Sequence, residues 1–147
     1  MLLRSYPGYS LVEMATLLVV VAIGTSVLAS YGRRLVDRAE AVAAREEVVR
    51  GVARARAFAV ARGGASVTLV AQPPALRIEA GSEVVRAVLL GGGDRRLSMA
   101  LTAGRDSLTL RFDRLGIGRF ANGTILLRRG DATRGLVISS YGRVRRR

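Results

Sequence analysis

The longest apolar segment of the chain lies near its N-terminus. Residues 11–29 are nearly all apolar, with a few small polar residues among them. A helix that crosses a membrane needs roughly 20 apolar residues, so this segment is long enough to do so. Its one charge, Glu13, lies near the start, where a carboxylate costs less than at the centre of a bilayer.

The apolar pattern changes after residue 32 to that of an amphipathic helix. Leu35, Val42 and Val49 recur at seven-residue spacing, and Glu46 and Arg50 on another face are spaced for an i,i+4 ion pair. The adjoining apolar stripe contains Ala39, Val52, Ala53 and Val60. Since no Pro interrupts the segment and Gly63-Gly64 is typical of a helix end, the pattern predicts one helix over residues 9–62.

Beyond residue 64 the apolar period shortens from about 3.6 to 2, which is typical of β-strands. Seven short strands are predicted at residues 67–71, 76–80, 83–90, 97–101, 108–112, 124–127 and 136–140. A sheet has to bury one face, and the amphipathic helix offers a matching apolar stripe. The predicted fold class is α+β, with a long N-terminal helix packed on a small antiparallel β-rich head at residues 64–147. The pattern fits an antiparallel meander as well as a small sandwich.

The amino-acid composition limits the kinds of catalytic and metal-binding site that the chain can form. The 147 residues contain no Cys, no His and no Trp, and the carboxylates do not cluster along the sequence. A disulfide framework and a thiolate metal site are excluded, and general acid–base catalysis lacks its commonest residue. We therefore expect a protein that is not an enzyme and that carries no cofactor and no metal.

The chain is strongly basic. All 24 basic residues are Arg and the net charge is +13. This excess predicts attraction to nucleic acid, anionic lipid or another acidic polymer. The exclusive use of Arg has two explanations, which are bidentate contacts with phosphate and a genome whose base composition favours Arg codons.

The N-terminal segment carries the most specific motif. Gly8 is followed by Tyr9 and by the apolar run with Glu13. This arrangement resembles the prepilin N-terminus of type IV pilins and of type II secretion pseudopilins. The resemblance implies that a prepilin peptidase removes residues 1–8 as a leader and that Tyr9 becomes N-methylated. It also implies that Glu13 acts in assembly by pairing with the N-terminal amine of a neighbouring subunit.

In this interpretation residues 9–31 form the transmembrane and assembly helix, and residues 32–63 continue it as an amphipathic helix into the head. A conventional secretory signal peptide is the alternative, but Val27-Leu28-Ala29 fits its small-residue cleavage site poorly. For Glu13 the alternative is a carboxylate that reaches the membrane surface and has no pairing role.

Two segments in the C-terminal quarter narrow the resemblance to one family within this group of proteins. Phe112-Asp113-Arg114-Leu115-Gly116 forms a Phe-x-x-x-Gly pattern, and Gly142-Arg143-Val144-Arg145 stands near the end of the sequence. Together these segments resemble the head of the GspH/FimT family of minor pilins and pseudopilins. Family members linked to natural transformation bind DNA, and the resemblance implies that Arg143 and Arg145 take part. Another group belongs to type II secretion pseudopili.

The last quarter also carries most of the net positive charge. Residues 111–147 contain ten Arg and two Asp, a net charge of +8. Counterion release lets such a cluster bind polyphosphate whatever its sequence. We expect Arg forks to contact the backbone of duplex DNA. The residues predicted to do so are Arg119, Arg128, Arg129, Arg134, Arg143, Arg145, Arg146 and Arg147. The alternatives are a solvated tail and a surface that binds anionic lipid.

The few other conspicuous side chains of this region have simpler explanations. Phe112 and Tyr141 are expected in the core rather than as stacking platforms for bases. Asp113 and Asp131 are expected to form hydrogen bonds within turns.

The resulting expectation is a minor pilin of a type IV pilus that binds DNA non-specifically during natural transformation. It would be a single-pass protein of the bacterial inner membrane with its head in the periplasm, and part of a filament after assembly. Its partners would be other pilin or pseudopilin subunits, prepilin peptidase, the inner membrane and duplex DNA. The alternative is a GspH-like minor pseudopilin of a type II secretion system that acts only in filament assembly.

Overall fold

The computed structural model describes residues 10–93, 96–119 and 122–147. The predicted cleavage and methylation positions, Gly8 and Tyr9, lie outside the described residues. Two compact units divide the chain, Met1–Leu35 and Val36–Arg147. We describe each unit by itself.

A single helix, α1, runs through Leu11–Arg62. In the first unit it is exposed, and it contains an 18-residue window of mean hydropathy 2.2. Among the described residues this is the one helix long and apolar enough to cross a membrane. Four side-chain hydroxyls in this part of the helix donate to backbone carbonyl oxygens three or four residues earlier, so they need no solvent partner. The hydroxyls are those of Thr16, Thr25, Ser26 and Ser30.

The second unit contains two antiparallel sheets. The strands are β1 (Gly64–Val70), β2 (Ala75–Ala80), β3 (Glu83–Leu89), β4 (Leu97–Leu101), β5 (Ser107–Asp113), β6 (Gly118–Arg119), β7 (Gly123–Arg129), β8 (Ala132–Ile138) and β9 (Val144–Arg146). The first sheet has the order β3-β2-β1-β5-β6 and the second the order β4-β7-β8-β9. All seven predicted strands are present, although β8 begins four residues earlier than predicted. The sequence pattern missed β6 and β9, which are only two and three residues long.

One apolar core joins the helix to both sheets. In β1, β4, β5 and β7 buried residues alternate with more exposed ones, as a sheet with one covered face requires. In the first sheet Val67 and Leu110 are buried, and in the second Ile125 and Leu136 are buried. The predicted α+β fold class, a long N-terminal helix with its C-terminal part packed on antiparallel sheets, is confirmed.

The face that α1 buries differs from the predicted one. The residues in the core are Ala41, Ala44, Val48, Gly51, Val52, Ala55 and Ala59. Of the predicted stripe Val52 is buried, Val49 is partly buried and Val60 is 59 % exposed. Small residues let the sheets approach the helix closely, and a Cβ placed on Gly51 would lie 2.3 Å from Leu76 Cδ1.

The predicted i,i+4 ion pair on α1 is also wrong. Arg50 pairs instead with Glu47, one residue closer along the helix (i,i+3), at 2.9 Å. Glu46 binds Arg45 and also Arg146, a residue 100 positions further along the chain. Tertiary contacts therefore override the helical spacing at this point.

Candidate nucleic-acid interface

The run of Arg near the C-terminus forms part of a sheet. Strand β9 pairs with β8 at the edge of the second sheet, with Val144 opposite Ile138 and Arg145 opposite Val137. Beyond the strand, the amide of Arg147 donates to the Gly135 carbonyl at 3.0 Å, and the amide of Gly135 donates back at 3.3 Å. The alternative of a solvated tail is therefore wrong for this segment.

Strand alternation sends consecutive Arg side chains to opposite faces of this sheet. Arg146 lies opposite Leu136, which is buried, and so points toward the core and the helix. Arg145 and Arg147 point the other way, and a Cβ on Gly135 would lie 3.3 Å from the Cβ of Arg147. Arg128 of β7 is exposed on this same outer side. We call Arg128, Arg145 and Arg147 the Arg face.

The Arg face has no opposing charge within its own strands. The other outward residues of β4, β7 and β8 are Ser98, Ala100, Thr124, Leu126, Thr133, Gly135 and Val137, none of which is acidic. No ion pair among the described residues involves Arg128, Arg145 or Arg147. Arg145 and Arg147, with Val137 and Arg146, line a shallow depression. An anion that approaches this side meets guanidinium groups whose charge is not neutralised locally.

Arg129 does not belong to this surface, and its prediction as a DNA contact is wrong. Only 5 % of its side chain is exposed, its Nε donates to Asp37 Oδ1 at 3.0 Å, and its Nη1 donates to Glu40. A cation buried with carboxylates in this way links β7 to the helix. It is too enclosed to reach a phosphate.

Arg146 is engaged in a similar manner, although it is more exposed. Two of its nitrogens donate to the two oxygens of Glu46, at 3.1 and 2.8 Å. These hydrogen bonds and the charge of Arg146, helped by Arg45, lower the pKa of Glu46 to about 2. In return, the hydrogen bonds and the negative charge of Glu46 raise the pKa of Arg146. The pair ties β9 to α1, and because Glu46 already neutralises Arg146, its 59 % exposed side chain is less available to phosphate than those of Arg145 and Arg147; its role as a DNA contact stays a prediction.

Three more predicted contacts lie apart from the Arg face. Arg134 lies on the same face of β8 as the buried Leu136. Its side chain is half-buried and donates to the backbone oxygen of Thr133. Arg119 is in β6 of the other sheet, with its Nε 3.5 Å from Asp113. Arg143 is exposed and precedes β9. It lines a groove together with Val49 and Ala53 of α1. Strand alternation thus places three of the eight predicted Arg residues on one side of the second sheet.

The Gly of the Gly-Arg-x-Arg segment sets the position of β9. Gly142 has a φ of 77°, and a Cβ there would lie 2.6 Å from Phe112 Cε1. Its carbonyl accepts a hydrogen bond of 2.9 Å from Arg56, whose guanidinium lies 5.7 Å from the centre of the Phe112 ring. Only a residue without a side chain fits this left-handed turn easily.

The expectations for the neighbouring side chains had mixed outcomes. Phe112 is buried, as predicted, but Tyr141 is 74 % exposed and lies outside the core. Asp113 accepts hydrogen bonds from the amides of Leu115 and Ile117, both 2.9 Å, so its predicted turn role is confirmed. These backbone hydrogen bonds, together with Arg119, lower the pKa of Asp113.

Within the described ranges no group of three or more His, Cys, Asp or Glu side chains is placed to hold a metal ion. The geometry offers a basic surface on the outer side of the second sheet. Comparison of the chain with family models, with curated proteins and with solved structures finds no match.

Proposed function

We propose that this protein is a minor subunit of a type IV pilus-like filament that binds duplex DNA through the Arg face. The observation that carries the proposal is the outward placement of Arg128, Arg145 and Arg147 on a sheet face without acidic strand residues. Two residues along one strand are about 7 Å apart. That distance is shorter than the Debye length of about 10 Å at 0.1 M salt, so a polyanion meets the charges of Arg145 and Arg147, which share β9 and its extension, together.

Backbone contacts to phosphate fit this surface better than base readout does. Guanidinium groups bind phosphate oxygens with two parallel hydrogen bonds, whatever the sequence of the DNA. Tyr141 is the exposed aromatic residue nearest to β9 along the chain, and single-strand binding relies on several stacked bases. We therefore expect duplex DNA to bind without sequence preference.

The filament part of the proposal rests on the N-terminal segment. An exposed apolar helix carries Glu13 in its first turn, and no cation pairs with this carboxylate among the described residues. A charge of this kind in lipid normally has a partner, which the resemblance supplies as the N-terminal amine of a neighbouring subunit.

Processing of the leader is a direct test of this part. In cells that contain a prepilin peptidase we expect the wild-type chain to be shortened after Gly8 and the Gly8→Ala variant to keep its full length. Gly24→Ala is a matched control, because a Cβ at Gly24 meets nothing within 4 Å. A wild-type chain that stays uncut would refute the prepilin interpretation.

The charges that flank the apolar segment oppose the proposed orientation. Arg33, Arg34 and Arg38 follow the segment, whereas Arg4 alone precedes it. The positive-inside rule counts such residues near the ends of a span and favours the cytoplasm for the more basic side. A periplasmic head therefore requires that recognition of the N-terminal motif dominates over this charge bias.

The absence of Cys from the sequence makes orientation simple to measure. Ser82→Cys places one thiol at the exposed turn between β2 and β3. A membrane-impermeant maleimide added to cells with a permeable outer membrane should label it if the head is periplasmic. Labelling that occurs only after the inner membrane is broken would place the head in the cytoplasm and refute the filament proposal.

DNA binding is tested with the full chain in nanodiscs of zwitterionic lipid, by fluorescence anisotropy of labelled duplex DNA across a salt series. We expect micromolar or weaker affinity near physiological salt that falls steeply as salt rises. An Arg143→Ala/Arg145→Ala variant should bind more weakly. If duplex DNA fails to bind at low salt, the remaining function is filament assembly alone, as in a type II secretion pseudopilin.

A further inference from the structure

A second surface of the head is apolar and lies apart from the Arg face. Val49 and Ala53 of α1 form one wall of a groove, and Leu115, Ile117 and Tyr141 border it from the loops. These three loop side chains are 71, 45 and 74 % exposed, respectively. Large apolar side chains grouped in this way on a surface typically mark a binding site.

The groove explains the apolar stripe that α1 does not bury. Val42, Val49, Ala53 and Val60 share one helix face at seven- and four-residue spacing, yet the core takes the neighbouring face of small residues. Val60 is 59 % exposed. The helix thus has two apolar faces, of which one contacts the sheets and the other opens to this groove.

The loops that border the groove are held in place by hydrogen bonds. Asp113 accepts from the amides of Leu115 and Ile117, which fixes the first loop. Arg56 donates to the Gly142 carbonyl at 2.9 Å, which fixes the second loop to the helix. A preformed groove loses little conformational entropy when a partner binds.

The charges around the groove identify the kind of partner. Arg56 and Arg143 line it, and Arg114 adjoins it along the chain; all three are exposed. The nearby Asp113 is occupied by backbone amides and Arg119. Because like charges across an interface oppose binding, a second copy of this chain, with a net charge of +13, is disfavoured.

We infer that this groove binds an amphipathic helix of another protein, with an apolar ridge flanked by carboxylates. Helices with apolar residues at i, i+3, i+4 and i+7 fill grooves of this type. The carboxylates would lie near Arg56 and Arg143. The inference depends neither on DNA binding nor on filament assembly, because it uses a different face of the head.

The test uses a labelled synthetic peptide of about 16 residues, with Leu at i, i+3, i+4 and i+7 and Glu on both flanks. A second peptide of the same composition has its Leu residues scattered around the helix. The full chain in zwitterionic nanodiscs is titrated with each peptide, and binding is followed by anisotropy. Ala53→Glu introduces bulk and a negative charge into the groove, and Ala43→Glu adds the same group at an exposed α1 position that does not line it.

We expect the amphipathic peptide to bind about tenfold more tightly than its scattered isomer. Ala53→Glu should remove this difference, whereas Ala43→Glu should keep it. Equal binding of both peptides would show general attraction to a basic protein and would overturn the inference. So would an unaffected Ala53→Glu variant, or a wild-type chain that self-associates through this face in sedimentation experiments. Thermal unfolding of both variants, measured in parallel, shows whether the head is folded, and duplex-DNA binding reports on the Arg face separately.

Discussion

Three consecutive residues should differ sharply in their effect on DNA binding. Arg145→Ala/Arg147→Ala removes two guanidinium groups of the Arg face, whereas Arg146→Ala removes a group that already binds Glu46 at 2.8 Å. We therefore expect the double variant to bind duplex DNA much more weakly than the wild type, and the single variant to bind almost as well as the wild type.

Counterion release gives the magnitude. The slope of log K against log salt is negative, and each lost phosphate contact decreases its magnitude by about 0.9. Loss of two contacts should decrease the magnitude by about 1.8. The loss of affinity on going from about 50 to about 200 mM salt should then be about 12-fold smaller in the double variant than in the wild type.

The assay is anisotropy of labelled duplex DNA with the full chain in zwitterionic nanodiscs, at four or more salt concentrations. Because an Arg146→Gln/Glu46→Gln variant removes a whole ion pair and leaves the net charge unchanged, it controls for disturbance of β9. If Arg146→Ala lowers the slope as much as the double variant does, strand alternation does not decide which Arg residues reach DNA. The reasoning would then be wrong.

Three further predictions concern stability, measured by thermal unfolding of the full chain. Gly142→Ala should lower the free energy of unfolding by about 2–4 kcal/mol, because a left-handed backbone is strained for any residue with a Cβ and the added Cβ meets the buried Phe112 ring. A variant as stable as the wild type would contradict this. Asp37→Asn takes one carboxylate from the buried Arg129 and should cost about 2–3 kcal/mol, less than for a fully buried pair because a second carboxylate remains. Glu46 has a pKa near 2 in the folded state against 4.5 otherwise. Its pairing with Arg146 therefore stabilises the fold above pH 4.5, and this contribution disappears as the pH falls toward 2. Glu46→Gln should flatten the acid side of the stability profile, and an unchanged profile would refute the pairing.

The fold class was predictable because period and length are local properties of the sequence. The apolar run before residue 30 and the change to alternation after residue 64 identify the helix and seven strands. The buried face of the helix was not predictable in the same way. In the sequence, the seven-residue spacing of Val42 and Val49 and the small size of Ala44 and Ala55 are equally good signs of a buried helix face. Which of the two faces is covered depends on how the sheets pack against the helix.

The Arg face could be predicted only in part for a related reason. Composition shows that the last quarter is basic, but strand pairing decides where each charge points. Alternation within β9 would have separated Arg145 and Arg147 from Arg146 if the strand had been recognised. The burial of Arg129 depends on Asp37, 92 positions earlier in the chain, and no local pattern connects these two residues.

The small residues on the buried face of α1 make the two sides of the core respond differently to mutation. Enlarging a side chain on the helix side, as at Gly51 beneath Leu76, forces the layers apart, because a new Cβ already lies within 2.3 Å of the facing methyl group. Trimming a side chain on the sheet side, such as Ile125 or Leu136, leaves a cavity that the Ala, Gly and Val residues of the facing helix are too small to fill. A library of random substitutions should therefore tolerate neither growth on the helix nor shrinkage on the sheets.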